Sequence, residues 1–179
     1  MNMLDIAQSE PALQRSFGNG EIRYGKDGLR GLFQQGCTKI LLPETYGDPP
    51  QAVLVNTAGG LTGGDRLGLD CSLGAGASLC VTSQTAERVY RSCGGEAQVT
   101  NRLRLGEDSS LEWLPQETIL FDQSRLRRLL EVHMEENSRL LALESFVLGR
   151  RAMGETLANA QLSDQWRIWR GGKPVYADG

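Results

Sequence analysis

The stretch Gly59-Gly60-Leu61-Thr62-Gly63-Gly64-Asp65-Arg66 comes nearest, in residue type and spacing, to a known chemistry. Gly59 and Gly64 have the separation of the two glycines in a phosphate-cradling loop, where backbone N–H groups hold an anion. The next two residues of such a loop are Lys and Ser or Thr. Here they are Asp65 and Arg66, and a carboxylate aimed at phosphate repels it. Nucleotide binding is therefore disfavoured. The stretch reads instead as a strained turn whose glycines supply positive φ, or as backbone that approaches a partner or lines a passage. Asp65, at its end, is placed to cap the turn by accepting backbone N–H bonds.

The carboxylates Glu87, Glu112, Glu117, Glu144 and Glu155 are scattered over later segments, and the ordinary reading of each is a solvated surface charge. Glu144 is the exception. It interrupts the apolar run Leu140-Leu141-Ala142-Leu143 and Phe146-Val147-Leu148, which calls for burial with a partner such as Arg. No spacing marks any two of them as a glycosidase acid pair. His133 is the single histidine and is flanked by apolar residues, as a structural histidine would be. Cys37, Cys71, Cys80 and Cys93 contain no CxxC pair, so no zinc ribbon or thioredoxin motif is present. Trp113, Trp166 and Trp169 read as packing residues, and Arg125, Arg127 and Arg128 as a solvated strand face.

The elements that must position these residues are β. Among 179 residues, 22 are glycine without collagen periodicity, which suggests a turn-rich chain. Residues 1–20 read as a polar lead-in and 21–179 as one domain. Alternation at Val99, Asn101, Leu103 and Leu105 predicts a half-buried strand. Turn-plus-apolar openings at Leu79, Leu111 and Leu140 recur about every 30 residues. The expected fold is mainly β, with layered antiparallel sheets in a sandwich or solenoid-like stack, two strands per repeat and few helices. Residues 84–91 and 123–136 have acceptable helix propensity, but the recurring turns assign them to strands.

A net charge of −3 offers no footprint for nucleic acid or an anionic membrane surface. The N-terminus lacks a signal-peptide pattern, and no apolar run reaches the ~18 residues of a membrane span. A cytoplasmic protein with reduced cysteines is expected. The residues alone give no recognisable active site, which favours a binding or scaffold role over an enzyme. A carbohydrate-active enzyme and a generic β-rich binding module are the alternatives.

Four segments together resemble a known family. Residues 56–67 (Asn-Thr-Ala-Gly-Gly-Leu-Thr-Gly-Gly-Asp-Arg-Leu) are similar to the glycine-rich signature of the urease accessory protein D family, UreD or UreH. Residues 81–92, 111–121 and 149–155 resemble further stretches of the same family in the same order, and the likeness runs over roughly residues 25–178. The resemblance implies a mainly β, non-catalytic, cytoplasmic chaperone. Such a protein binds apo-urease and accessory proteins F and G, G being a GTPase, and assists nickel insertion. It implies nickel in transit and no tightly bound cofactor. One histidine and no cysteine cluster agree with that, because a tight Ni²⁺ site wants imidazole or thiolate. Asp65, Glu87, Glu144 and Asp178, within or beside the matched segments, are the candidate carboxylates of a nickel route. Gly59, Gly60, Gly63 and Gly64 are the candidate partner or channel loop. Family members continue well past the position of Gly179. The resemblance therefore implies that the C-terminal part of the family fold, which helps form the surface for protein F, is missing here.

Overall fold

A computed structural model describes residues 14–45, 47, 49–150 and 153–179, and none of them lies in an α-helix. The described residues open with two antiparallel hairpins. One is β1 (Phe17–Gly25) with β2 (Gly28–Gly36), and the other is β3 (Thr38–Leu41) with β4 (Gln51–Asn56). β1 starts inside the expected lead-in, so residues 17–20 belong to a sheet; residues 1–13 of that lead-in lie outside the described residues.

From there the chain coils. The first turn is β5 (Arg66–Leu73), β6 (Ser78–Ser83) and β7 (Glu87–Val89). The second is β8 (Ala97–Leu105), β9 (Ser110–Leu114) and β10 (Thr118–Leu120). The third is β11 (Arg125–Met134), β12 (Arg139–Ala142) and β13 (Phe146–Leu148). β14 (Gln161–Arg170) opens a fourth and folds back as β15 (Lys173–Asp178). Three sheets result, ordered β15-β14-β11-β8-β5-β1-β2, β12-β9-β6-β4-β3 and β13-β10-β7.

The mainly β fold and the repeat hold, with two corrections. Pairing between successive coils is parallel, not antiparallel: β5 with β8, β8 with β11, β11 with β14, and β6 with β9. A chain that runs along one face and returns along another meets itself one repeat later in the same direction, so sheet neighbours are parallel. Among the described residues, antiparallel pairing of strands occurs at the three hairpins, with one isolated antiparallel bridge between Arg91 and Ser124. Each repeat also holds three strands rather than two. The third is only three residues long, too short to leave a period in the sequence.

The corners explain the spacing. Gly76 (φ 65°) and Asp108 (φ 54°) occupy the left-handed region at successive corners. The hydroxyls of Ser109 and Ser138 close their turns on the carbonyls of Gly106 and Glu135, each at 2.7 Å. Asn137 Nδ2 donates to Asp108 Oδ1 at 2.8 Å, so one corner locks onto the next.

Inward alternation buries two clusters. Ile22, Leu69, Cys71, Leu103, Leu130 and Val132 of the large sheet meet Ala52, Leu79, Val81, Leu111 and Trp113 of the five-stranded sheet. Leu61, Val89, Ala97, Leu120 and Leu126 form a smaller cluster under the three-stranded sheet. Residues 84–91 and 123–136 contribute strands, as the recurring turns required.

Candidate functional site

Between the two clusters, where the three sheets meet, lies a cavity of about 140 Å³. Its lining includes Asn56 of β4, Leu67 and Leu69 of β5, Glu87 of β7, Val99 and Asn101 of β8, Trp113 of β9, Thr118 of β10 and Arg128 of β11. Glu144, in the link between β12 and β13, completes it. Most of the wall is apolar, so the charged groups in it are exposed to a weak dielectric and must be paired.

Glu87 faces the cavity at one side. Asn56 Nδ2 donates to both its carboxylate oxygens, at 3.1 and 3.3 Å, and the N–H of Arg88 donates at 3.1 Å. Burial nevertheless raises its pKa above the ordinary glutamate value; the Asn56 bond and the Arg88 N–H and charge oppose the shift.

Glu144 and Arg128 form the other polar element. Leu126, Leu130, Val132 and Met134 are the inward residues of β11, and period-two alternation puts Arg128 inward with them. Its guanidinium clamps Asp164 of β14 with two bonds, Nε to Oδ1 at 2.8 Å and Nη2 to Oδ2 at 2.9 Å. Nη1 donates to Thr118 Oγ1 at 3.4 Å, and the guanidinium carbon lies 4.5 Å from the centre of the Phe146 ring. Nη2 also comes within 2.7 Å of Glu144 Oε2, but no N–H points at that oxygen, which accepts no directed bond. Glu144 Oε1 accepts from Trp113 Nε1 at 2.7 Å. The Glu144 side chain is 3% exposed, and burial raises its pKa against the opposing charge of Arg128 and the Trp113 N–H.

Arg128 therefore corrects the expectation of a wholly solvated arginine face. Burial also takes Glu87 and Glu144 out of the ordinary solvated class, and Glu144 has the arginine partner its apolar setting called for. Arg128, Asp164, Asn56 and Thr118 were not singled out as members of a polar site from the sequence. The alternation along β11 was the signal that marks Arg128 as inward; nothing local marks the other three.

The remaining candidates lie elsewhere. Asp65 is 3% exposed and does not line the cavity. Its Oδ1 accepts from Ser16 N at 2.7 Å and its Oδ2 from Thr62 N at 2.8 Å, which is the turn-capping role. Asp178 sits on exposed β15 and accepts from the Tyr176 hydroxyl at 3.2 Å. Of the glycine loop, Gly59 reaches the cavity wall. A Cβ at Gly60 (φ 152°) would collide with the Tyr90 ring and lie 2.8 Å from the Arg88 carbonyl. One at Gly63 would collide with Ser92 and the Gly94 carbonyl, so the loop is glycine where it packs against the next coil.

His133 is on the outer face of the large sheet, stacked on Trp169 with ring centres 4.6 Å apart and 3.2 Å from Glu131. The four cysteines are free thiols, and burial pushes Cys71 up to about 12. Among the described residues no three His, Cys, Asp or Glu side chains gather as a metal cage, and no helix is long and apolar enough to cross a membrane. The segment 149–155 meets the 121–123 turn: Glu155 accepts from Arg150 Nε at 3.0 Å and from Asp122 N at 3.4 Å. Arg151 and Ala152, within that segment, lie outside the described residues.

Fold and site together define a class: a three-sided parallel β-coil with an internal, largely apolar cavity carrying isolated carboxylates. Residues 17–179 match the UreD urease accessory protein family, and the chain belongs to it. It is 49% identical over 174 residues to a urease accessory protein UreD of Chelativorans sp., covering 95% of this chain and 63% of that relative. It is 50% identical over 150 residues to urease accessory protein UreD 1 of Brucella anthropi, covering 84% of this chain and 53% of the relative. UreD 1 of Brucella ovis is 46% identical over 171 residues, covering 93% and 61% respectively. The chain thus spans 53% to 63% of the length of these relatives.

Proposed function

We propose that this chain is a non-catalytic scaffold in urease maturation, through which nickel passes toward apo-urease. The reading places it in the cytoplasm, assembled with apo-urease and with accessory proteins F and G, G being the GTPase. The family supports the urease connection. The observation that carries the nickel reading is the cavity faced by Glu87 and Glu144. Single carboxylates, apart from imidazole and thiolate, hold a borderline divalent ion weakly, and cargo in transit must leave again. Glu87 and Glu144 are the carboxylates the reading carries forward; Asp65 and Asp178 lack access to the cavity. Trp113, the tryptophan at the cavity, gives its N–H to Glu144, so it supports no sugar-stacking platform.

The scaffold reading has a second support on the outer face of the five-stranded sheet. Register aligns Leu41, Val53, Thr82 and Leu114 in one row across β3, β4, β6 and β9. Leu143, just past β12, extends it by donating its N–H to the Trp113 carbonyl at 3.0 Å. Leu41 is 53% and Leu143 63% exposed, and the Thr82 hydroxyl is occupied by the Leu114 carbonyl. An apolar row across a sheet face is what a protein partner covers.

The test is a reconstituted activation of apo-urease with proteins F and G, nickel and GTP. E87Q/E144Q is expected to slow nickel loading several-fold, with D178N near wild type. An unchanged loading rate in E87Q/E144Q would overturn the route.

A further inference from the structure

Arg128 is a buried cation on the cavity wall beside Glu144, and its bonding is lopsided. Its directed N–H groups go to Asp164 and Thr118, while Glu144 Oε2, 2.7 Å away, receives charge and no directed bond. An oxygen of a nearly fully buried carboxylate on the cavity wall is therefore held by the charge of Arg128 alone, without a directed hydrogen bond. Buried acceptors are ordinarily satisfied, and one that is not calls for an explanation.

We propose that Arg128 is a tethered counter-cation: it holds the place of a divalent ion against Glu144 and Asp164, and keeps such an ion from being bound tightly. This rests on the nickel-transit reading and adds to it the residue that sets how firmly cargo is held. With both carboxylates ionised, Arg128, Glu144 and Asp164 sum to one negative charge. A divalent ion entering beside Arg128 leaves one uncompensated positive charge in a weak dielectric, so the ion is attracted and then released. Without Arg128 the two carboxylates match a divalent ion charge for charge, and the conduit becomes a trap. Asp164 ties this arrangement to β14, the strand beside the edge strand β15 of the large sheet. Thr118 and the Phe146 ring, which the guanidinium already touches, keep it at the cavity wall when an ion weakens its bonds to the carboxylates.

The experiment is equilibrium titration of the full 179-residue chain with NiCl₂, alongside far-UV circular dichroism melts with and without the metal. R128M is expected to bind one Ni²⁺ at least about tenfold more tightly than the wild type, and R128M/E144Q to lose that gain. Burying two unpaired carboxylates can unfold R128M in metal-free buffer; the proposal then requires Ni²⁺ to restore the wild-type spectrum. A folded R128M with wild-type nickel affinity overturns the proposal. So does an unfolded R128M that nickel does not rescue, or a gain that survives E144Q. Failure of the route shows separately: E144Q would then leave urease activation unchanged while the R128M affinity gain persists.

Discussion

The indole Nε1 of Trp113 and the Oε1 of Glu144 are 2.7 Å apart, and they join the second coil to the third through the molecule's interior. Trp113 is 1% exposed, so its N–H has no solvent to turn to. W113F removes the donor and leaves a buried carboxylate oxygen without its directed bond. A loss of about 1–3 kcal/mol in urea-unfolding free energy is expected, and E144Q placed in the W113F background should recover part of it. Double-mutant additivity between the two sites would show that the contact carries no coupling.

Glu87 gives the fold a pH dependence of predictable sign. Its pKa is raised in the folded state by burial, so the fold binds a proton that the unfolded chain has already released. The stability it contributes is complete below the ordinary glutamate pKa and is lost as pH rises through the raised value. Glu144 acts in the same direction. The urea midpoint is therefore expected to fall as pH rises from about 4.5 through the raised range, and then to level off. E87Q should flatten that slope and raise the midpoint at neutral pH. An E87Q slope equal to wild type would sink the assignment.

Repeat length was legible because the turn between the first and second strand of each coil is followed by Leu79, Leu111 or Leu140. Strand direction was not. Antiparallel hairpins and parallel coils share the same alternation, and only the return path of the chain distinguishes them. The cavity was half legible. Glu144 stood out because a carboxylate in an apolar run needs a partner, whereas Arg128 sat in a basic cluster whose solvated neighbours, Arg125 and Arg127, masked it. Asp164 and Thr118 reach Arg128 through pairings 36 and 10 residues away, which no local pattern encodes. Asp65 was read correctly as a turn cap from its position after the glycines.

The glycine loop separates two uses of glycine. Gly59 has φ 76° but open space around its Cα, whereas Gly63 abuts Ser92 and the carbonyls of Gly94 and Gly95. G59A should cost only the backbone penalty of a positive φ, about 1 kcal/mol. G63A must push the 92–95 turn away from the loop and should cost more, about 1–3 kcal/mol. Chemical denaturation of the two variants side by side checks the order. If G59A were the more damaging, close packing between coils would not be the reason for glycine at 63.

The outer apolar row makes a prediction in which stability and binding diverge. Leu143 is 63% exposed and Leu41 53%, so neither buries much area in the isolated chain. L143E and L41E should therefore shift the unfolding free energy by no more than about 0.5 kcal/mol. In an interface the same residues would occupy the desolvated centre, where an introduced carboxylate is costly. If the row docks a maturation partner, L41E/L143E should abolish co-purification with apo-urease or with protein F while the melting curve stays near wild type. Glu112 lies on the same outer face, in the register between Cys80 and Leu141, and already tolerates a carboxylate. E112Q is therefore the control expected to leave binding intact. Retained capture of both partners by L41E/L143E would show that the row is covered by neither, and that the scaffold uses another face.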